Sequence, residues 1–460
     1  MSIATLAPLA KHAIIPQRII AMNTAESLQD QWLDGWRFLK AHDYKQALYK
    51  FKAIIDQDPN CALALAGVAN VYCEIYQPRK AWEYAQKAVD LLPHDIFILN
   101  VALQCALCLS KFDDAKRYAE KAYKLAPKSA DGINAYLLYL QHTGDVSKIE
   151  RLVRELLTIN KSAPTKLIAG MALEVTGKIP EVIRIYRQAI ADVLAANSPL
   201  PPMLKGANAY EKSKNALVDI KKYLDSLCVP FCLAHGTLLG IYRDGDLLHG
   251  DKDIDIMIPW NVDRVWLASE LTRLGCTITI SPYNVQGYKG QWGLDVRLPP
   301  DDIVVEISFL KHENDKVWFG FTRGQHVIKL PVSPFSFEFE SVDYLGIPFP
   351  IPHPCDKHLS EIYGENWNVQ TCNRNFFIIN PNVVDEGNIR IAYTFNHILG
   401  GLLKGDYKKA QGYTEQLLSV YDDPLLYELR EYFARLPFDV ALFPPLEWQP
   451  QRLHYRDVVG

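Results

Sequence analysis

No apolar run in this chain reaches the roughly 20 residues that a membrane-spanning helix requires. The first 22 residues are modestly apolar, but Lys11 and Arg18 interrupt them. They lack the basic-then-apolar order of a signal peptide. A strong charge of either sign is also missing. The formal net charge is −4, which argues against a dedicated nucleic-acid binder. The cysteines number nine and are scattered, an odd count that fits reduced thiols better than a disulfide framework. Cys105 and Cys108 form a lone C-x-x-C on an expected helix, without a second pair, and read as core thiols. These absences leave a cytoplasmic protein as the expectation, with peripheral attachment at the inner face of a membrane as a variant. At 460 residues, two or three domains are expected.

What is present begins with a repeat. Ala47, Ala81 and Ala115 are spaced by 34 residues, and so are Pro59, Pro93 and Pro127. Thirty-four is the tetratricopeptide period. Gly35 and Phe38 on the first helix of repeat one have Ala69 and Tyr72 at the same places in repeat two. A small Ala lets the two helices of a unit approach closely. A Pro ends the second helix, because it restricts the residue before it and cannot donate to the ladder. Two looser units come next at about 132–162 and 165–198, where Tyr186 and Ala189 keep the helix spacing. Such a solenoid offers a concave face on which a protein partner can sit, with Arg79, Lys80 and Lys87 as candidates to face it. The other reading is that the repeats only buttress the second half of the chain.

A break comes at Asn197-Ser198-Pro199-Leu200-Pro201-Pro202, whose prolines read as a linker. Beyond it a helix from about Tyr210 to Leu227 carries Ala216, Leu217, Ile220 and Leu224 on one stripe. A short strand, Phe231 to Ala234, leads into the stretch around which the second half is organised. That stretch has a small-residue turn at Gly236-Thr237, an apolar helix to about Tyr242, and a turn at Asp244-Gly245. Ile254 to Ile258 then reads as a buried strand. Asp253 and Asp255 stand two apart, so the strand period puts both carboxylates on one face. Two carboxylates there repel each other unless a cation lies between them, and hard oxygens suit magnesium or manganese. The Gly-Thr turn offers amides on which a phosphate can rest.

Residues 235–258 resemble the LicD/fukutin-related phosphotransferases. The hallmark of that family is Gly-Thr/Ser-Leu-Leu-Gly with an Arg soon after, then an Asp-x-Asp-x-Asp run. The matches are Gly236, Thr237, Leu238, Leu239, Gly240, Arg243, Asp251, Asp253 and Asp255. His249-Gly250 stands where the family often has Pro-Trp, and Lys252 where an acid is common. Further on, Asp302 to Leu310 has the β-branched density of a strand, with Glu306 in its middle. A lone acid in an apolar strand is costly to bury unless it is paired or metal-bound. The resemblance assigns a third site carboxylate to this place. Asp295 is the competing candidate, and a solvated edge strand is the plainer alternative. Tyr363, Gly364 and Trp367 match the family's Tyr-Gly-x-x-Trp after a Pro-led segment. That corner reads equally as packing or as a substrate wall.

The repeat, the proline-rich break and the resemblance, which covers roughly 215–370, together give a multidomain chain. Residues 1–25 are a lead-in and 26–198 an all-α tetratricopeptide solenoid. Residues 205–385 form an α+β nucleotidyltransferase-like catalytic domain with a mixed sheet, and 386–460 a C-terminal helical extension. The resemblance implies a metal-dependent phosphotransferase using Mg2+ (or Mn2+). The donor would be CDP-linked, carrying phosphocholine, glycerol phosphate or ribitol phosphate. The acceptor would be a sugar hydroxyl of a cell-surface glycan or glycolipid. Asp253, Asp255 and Glu306 are expected to be catalytic and to hold the metal. Gly236, Thr237 and Arg243 are expected on the donor, with Arg243 bracing Asp255 as its more modest role. Asp251, Lys252, His249, Tyr363 and Trp367 are expected on the substrate side. The alternatives are a nucleotidyltransferase acting on a protein or small molecule, and a repeat scaffold whose transferase domain is inactive.

Overall fold

The computed structural model describes residues 26–459 except 41–42, 76, 142–144, 203–209, 249–250, 252, 280–291, 302, 324–325, 335, 370–374, 386 and 438–452. Contacts divide the chain into two compact units. The first is Met1–Leu204 with Phe395–Gln411 and Tyr427–Leu442. The second is Lys205–Thr394 with Gly412–Leu426 and Phe443–Gly460. The stretch 386–460 therefore contributes to both. No helix among the described residues is long and apolar enough to cross a membrane.

The first unit is a run of helical hairpins: α1 (Glu26–Lys40), α2 (Tyr44–Gln57), α3 (Ala62–Glu74), α4 (Pro78–Leu91), α5 (Ile96–Cys108), α6 (Phe112–Leu125), α7 (Ala130–Leu140), α8 (Val146–Ile159), α9 (Ala163–Glu174) and α10 (Ile179–Ala196). The sequence marks fall where the physics needs them. Ala47, Ala81 and Ala115 are wholly buried. Pro59, Pro93 and Pro127 each stand two residues beyond the end of α2, α4 and α6. Asp43, Asp95, Ser129 and Asp145 cap the starts of α2, α5, α7 and α8 by accepting from a backbone amide of the first turn. Gly35 and Gly67 grip the ring of Phe51 from α1 and α3. A Cβ at either would stand 2.7 or 2.8 Å from that ring, so only glycine admits it. Near the end of the run, Glu174 is buried and accepts from Tyr186 Oη at 2.6 Å, while Asn396 Nδ2 donates to Tyr186 Oη at 2.9 Å.

In the second unit, α11 (Tyr210–Ser226) precedes β1 (Cys232–Leu233), α12 (His235–Asp244), β2 (Asp253–Pro259), α13 (Arg264–Arg273), β3 (Thr277–Thr279), β4 (Gly293–Leu298), β5 (Ile303–Glu313), β6 (Lys316–Arg323) and β7 (His326–Val332). A hairpin, β8 (Ser336–Tyr344) and β9 (Ile347–His353), comes next, then α14 (Cys355–Tyr363), α15 (Phe376–Ile379) and β10 (Val384–Asp385). The chain continues through α16 (Ile389–Lys404), α17 (Tyr407–Val420) and α18 (Pro424–Ala434). The sheet runs β1-β2-β5-β6-β7-β10, with β4 also on β5 and β3 on β4. β2 and β5 are parallel and their other neighbours antiparallel, so the sheet is mixed as expected.

The two faces of this sheet are sorted by alternate residues. Ile254, Ile256 and Ile258 of β2 join Val305, Ile307 and Phe309 of β5 and Leu294 and Val296 of β4 in the main core. The stripe expected on α11, Ala216, Leu217, Ile220 and Leu224, packs there too. Burying each such aliphatic side chain stabilises the unit by about 1.5–3 kcal/mol. The opposite face carries a smaller cluster that includes Ala234, Met257, Leu310, Phe319 and Phe376. It also carries the acids, because Asp253, Asp255, Asp295 and Glu306 are the alternates of the core residues.

Candidate active site

Register aligns the acids. Asp255 of β2 is the partner of Glu306 on β5, and Glu306 is the partner of Asp295 on β4. Three neighbouring strands thus present a row of carboxylates on one face, with Asp253 one step along β2. Asp295, the competing candidate for third carboxylate, belongs to the same row as Glu306. Asp255 is only 9% exposed.

Helix α12 meets this row end-on. It starts at His235, with Ala234 as its N-cap residue. Gly236 therefore lies in the first helical turn, where backbone amides have no partner within the helix. The Gly236 amide donates to Asp255 Oδ2 at 2.9 Å, and a carboxylate at a helix N-terminus is favourable. In return the Asp255 amide donates to Thr237 Oγ1 at 2.8 Å, and Thr237 is buried. The donor-binding residues expected at this turn, Gly236 and Thr237, are thus both bonded to Asp255. Their polar atoms hold Asp255 in place. Gly236 is needed for a second reason: a Cβ there would lie 2.6 Å from Asp251 Oδ2 and 3.2 Å from Asp255 Oδ2.

Arg243 at the far end of α12 is also placed differently from expectation. Its Nε and Nη2 donate to the two carboxylate oxygens of Asp244 at 2.8 and 2.7 Å, and Nη1 donates to the Trp367 carbonyl at 3.4 Å. The guanidinium thus braces Asp244 and the Trp367 segment rather than Asp255, because the adjacent carboxylate takes both arms of its fork. The Tyr242 and Trp367 rings lie 5.9 Å apart at the same corner. Trp367 is partly buried and packs against the main core there. Tyr363 goes to the acids instead. Burial, then the charges of Asp255 and Asp251, push its phenol well above the usual range. His249 and Lys252 lie outside the described residues.

Electrostatics mark the row as a place short of positive charge. Burial, then the charges of Asp253, Asp251 and Glu306, push the Asp255 carboxyl well above the ordinary carboxylate range. Glu306 is pushed up to about 8, first by burial and then by Asp253 and Asp295. A hard divalent cation relieves this kind of repulsion, and every donor in the row is a carboxylate oxygen, the chemistry that magnesium or manganese prefers. The cradle opened by Gly236 faces the same oxygens. Among the described residues no three His, Cys, Asp or Glu side chains are already gathered as a ligand set. The fit is thus one of donor chemistry and shared face.

Two further features were not legible in the sequence. Tyr413 on α17 feels the charges of Asp253 and Glu306. Burial is the main cause of its raised phenol, and hydrogen bonds with Asn375 and Tyr393 act the other way. Only the tertiary fold brings a residue so far downstream to the carboxylates. His235 has φ +41°, in the left-handed region, and its ring lies 5.0 Å from Phe319 and 4.9 Å from Phe376. Burial, then the charge of His358, lowers it to about 3, so it is neutral beside the acids.

Comparison with known proteins bears on this half of the chain first. Residues 228–353 match the family described as LicD/FKTN/FKRP, nucleotidyltransferase domain. The ribitol-5-phosphate transferase FKTN of Macaca fascicularis is 26% identical over 185 residues, 39% of each chain. The Homo sapiens protein of the same name is 25% identical over 185 residues, again 39% of each. This chain therefore spans well under half the length of these curated relatives. Tetratricopeptide repeat protein 7B of Homo sapiens is 27% identical over 135 residues, 29% of this chain and 16% of that protein. Among solved structures, a thermophilic tetratricopeptide repeat protein of Thermus thermophilus is similar, with 16% identity and a TM-score of 0.34 over 36% of this chain and 90% of that one. The strands and helix that build the carboxylate row lie inside residues 228–353, the segment that matches the LicD/FKTN/FKRP nucleotidyltransferase domain.

Proposed function

We propose that the second unit is a metal-dependent phosphotransferase. It would move a phospho-linked group, phosphocholine, glycerol phosphate or ribitol phosphate, from a CDP-activated donor to a sugar hydroxyl of a cell-surface glycan. The observation that carries the reading is the buried carboxylate row, with Asp255 clasped by the first turn of α12 and aligned with Glu306. Similarity to proteins named ribitol-5-phosphate transferases supports a transferase of this class.

Asp253 and Asp255, with Glu306 beside them, would hold Mg2+ or Mn2+. When bound, the ion neutralises charge on the donor phosphates. Gly236 and Thr237 fix the rotation of Asp255, and Tyr363 closes one side of the acidic face. The acceptor oxygen attacks the phosphorus that bears the transferred group. The bond from that phosphorus to the oxygen of the nucleoside monophosphate breaks, and the monophosphate leaves. Glu306 takes the proton of the acceptor hydroxyl. Catalysis otherwise rests on placement and charge, as is general for phosphoryl transfer.

The repeat unit would present the enzyme to a protein partner on its concave face, in the cytoplasm near the membrane where the acceptor is assembled. The second reading, transfer of the nucleotide itself, is favoured by the family description alone. Product analysis separates the two. With a CDP-linked donor and a glycan acceptor, free CMP and a modified glycan support phosphotransfer. A product that keeps the nucleotide supports nucleotidyl transfer.

A further inference from the structure

The repeat unit contains a thiol cluster that the proposed reaction does not use. Cys73 stands in the last turn of α3 and Cys105 in the last turn of α5, and their Sγ atoms are 3.3 Å apart. Cys108 lies one turn beyond Cys105 on the same helix and also meets Cys73 through a sulfur hydrogen bond. Cys105 and Cys108 are buried, and Cys73 is partly buried. The C-x-x-C, read in sequence as core thiols, thus has a third thiol from the preceding repeat set against it.

We propose that Cys73 and Cys105 form a dithiol site that small-molecule disulfides oxidise to an intramolecular disulfide, joining α3 of one repeat to α5 of the next. The sulfurs need to close from 3.3 Å to about 2.05 Å. The Cys73 thiolate attacks one sulfur of an oxidised glutathione molecule and expels one glutathione thiolate, leaving a mixed disulfide. The Cys105 thiolate then attacks Cys73 Sγ, forms the internal bond and expels the second glutathione. The two cysteines lose two electrons, the glutathione disulfide gains them, and the thiol protons pass to the released glutathiones. The neighbouring Cys105 thiol, together with burial, holds Cys73 ionisation well above the usual range, so the pair rests as thiols and reacts slowly. Once formed, the bond removes loop-closure entropy from the unfolded chain and ties one repeat covalently to the next.

The test uses the full-length protein. It is incubated with excess oxidised glutathione, quenched by alkylation, and mapped by mass spectrometry without reduction. Cys228, which is exposed on the second unit, serves as an internal control for a thiol without a partner thiol. The expected result is a Cys73–Cys105 crosslinked peptide lighter by two hydrogens, with Cys228 carrying glutathione. In Cys73→Ser the crosslink disappears and Cys105 is recovered alkylated after unfolding. Cys73 ending as a glutathione mixed disulfide, or remaining free to alkylate after Cys228 has reacted, would overturn the proposal. A crosslink from Cys73 to Cys108 would overturn the assignment of Cys105 as partner.

Discussion

The Gly236 amide donates to the Asp255 carboxylate at 2.9 Å while the Asp255 amide donates to the Thr237 hydroxyl at 2.8 Å. This reciprocal clasp ties the first turn of α12 to the strand that carries the acids. Thr237→Val keeps the shape and removes the acceptor, leaving a buried amide unsatisfied. A loss of about 1–3 kcal/mol is expected in denaturant unfolding, and Thr237→Ser should recover most of it. Equal stability of Val and wild type would show that the clasp contributes nothing.

Gly236→Ala should act on the site with little effect on the core. The new Cβ would press on Asp251 Oδ2 and crowd Asp255. Turnover is expected to fall by roughly tenfold or more, the scale of a displaced catalytic group, with circular dichroism unchanged. Full activity in that variant would mean the acids have room to spare.

Asp255→Asn removes one of the mutually repelling charges and can still accept from Gly236. Turnover should fall by roughly a hundredfold or more. The thermal midpoint in chelator should stay level or rise, because a buried carboxyl under like-charge repulsion is relieved. A folded variant with wild-type turnover would remove Asp255 from the chemistry.

Glu306 gives a pH signature. Its folded carboxyl is pushed up to about 8 from an ordinary value of 4.5, so the folded state holds the proton more tightly than the unfolded chain. By linkage, its contribution to stability is fully present below about 4.5 and is lost as pH rises toward about 8. Metal-free protein should therefore lose stability across that window, and Glu306→Gln should flatten the slope. An identical slope in wild type and variant would show that Glu306 is not the titrating group.

In the repeat unit, Tyr186→Phe deletes the hydroxyl that serves buried Glu174 and accepts from Asn396. The expected cost is about 1–3 kcal/mol of unfolding free energy. An unchanged midpoint would mean water replaces the hydroxyl without loss.

The parts of the fold that follow from short-range pattern were legible. The 34-residue spacing placed the prolines just past the ends of α2, α4 and α6, and alternation along β2 put Asp253 and Asp255 on one face. Glu306 was picked out by the cost of an acid in an apolar strand, and it lies in register with Asp255. What failed to show was set by particular side-chain partners, whether distant in sequence or adjacent. The Gly-Thr segment read as an open phosphate turn because its amide partner, the Asp255 carboxylate, is supplied by a later strand. Arg243 read as a donor ligand because its pairing with the adjacent Asp244 carries no periodic signal. Tyr413 reaches the acids only through the packing of α17.

The most direct test is a product assay on purified full-length protein, with CDP-ribitol, CDP-glycerol and CDP-choline each offered beside a glycan acceptor, with and without Mg2+. The expected result is acceptor-dependent release of CMP from one of them, abolished by chelation and by Asp255→Asn. No CMP release from any donor under conditions where the protein is folded, or release that Asp255→Asn leaves intact, would contradict the assignment of the carboxylate row as a phosphotransferase site.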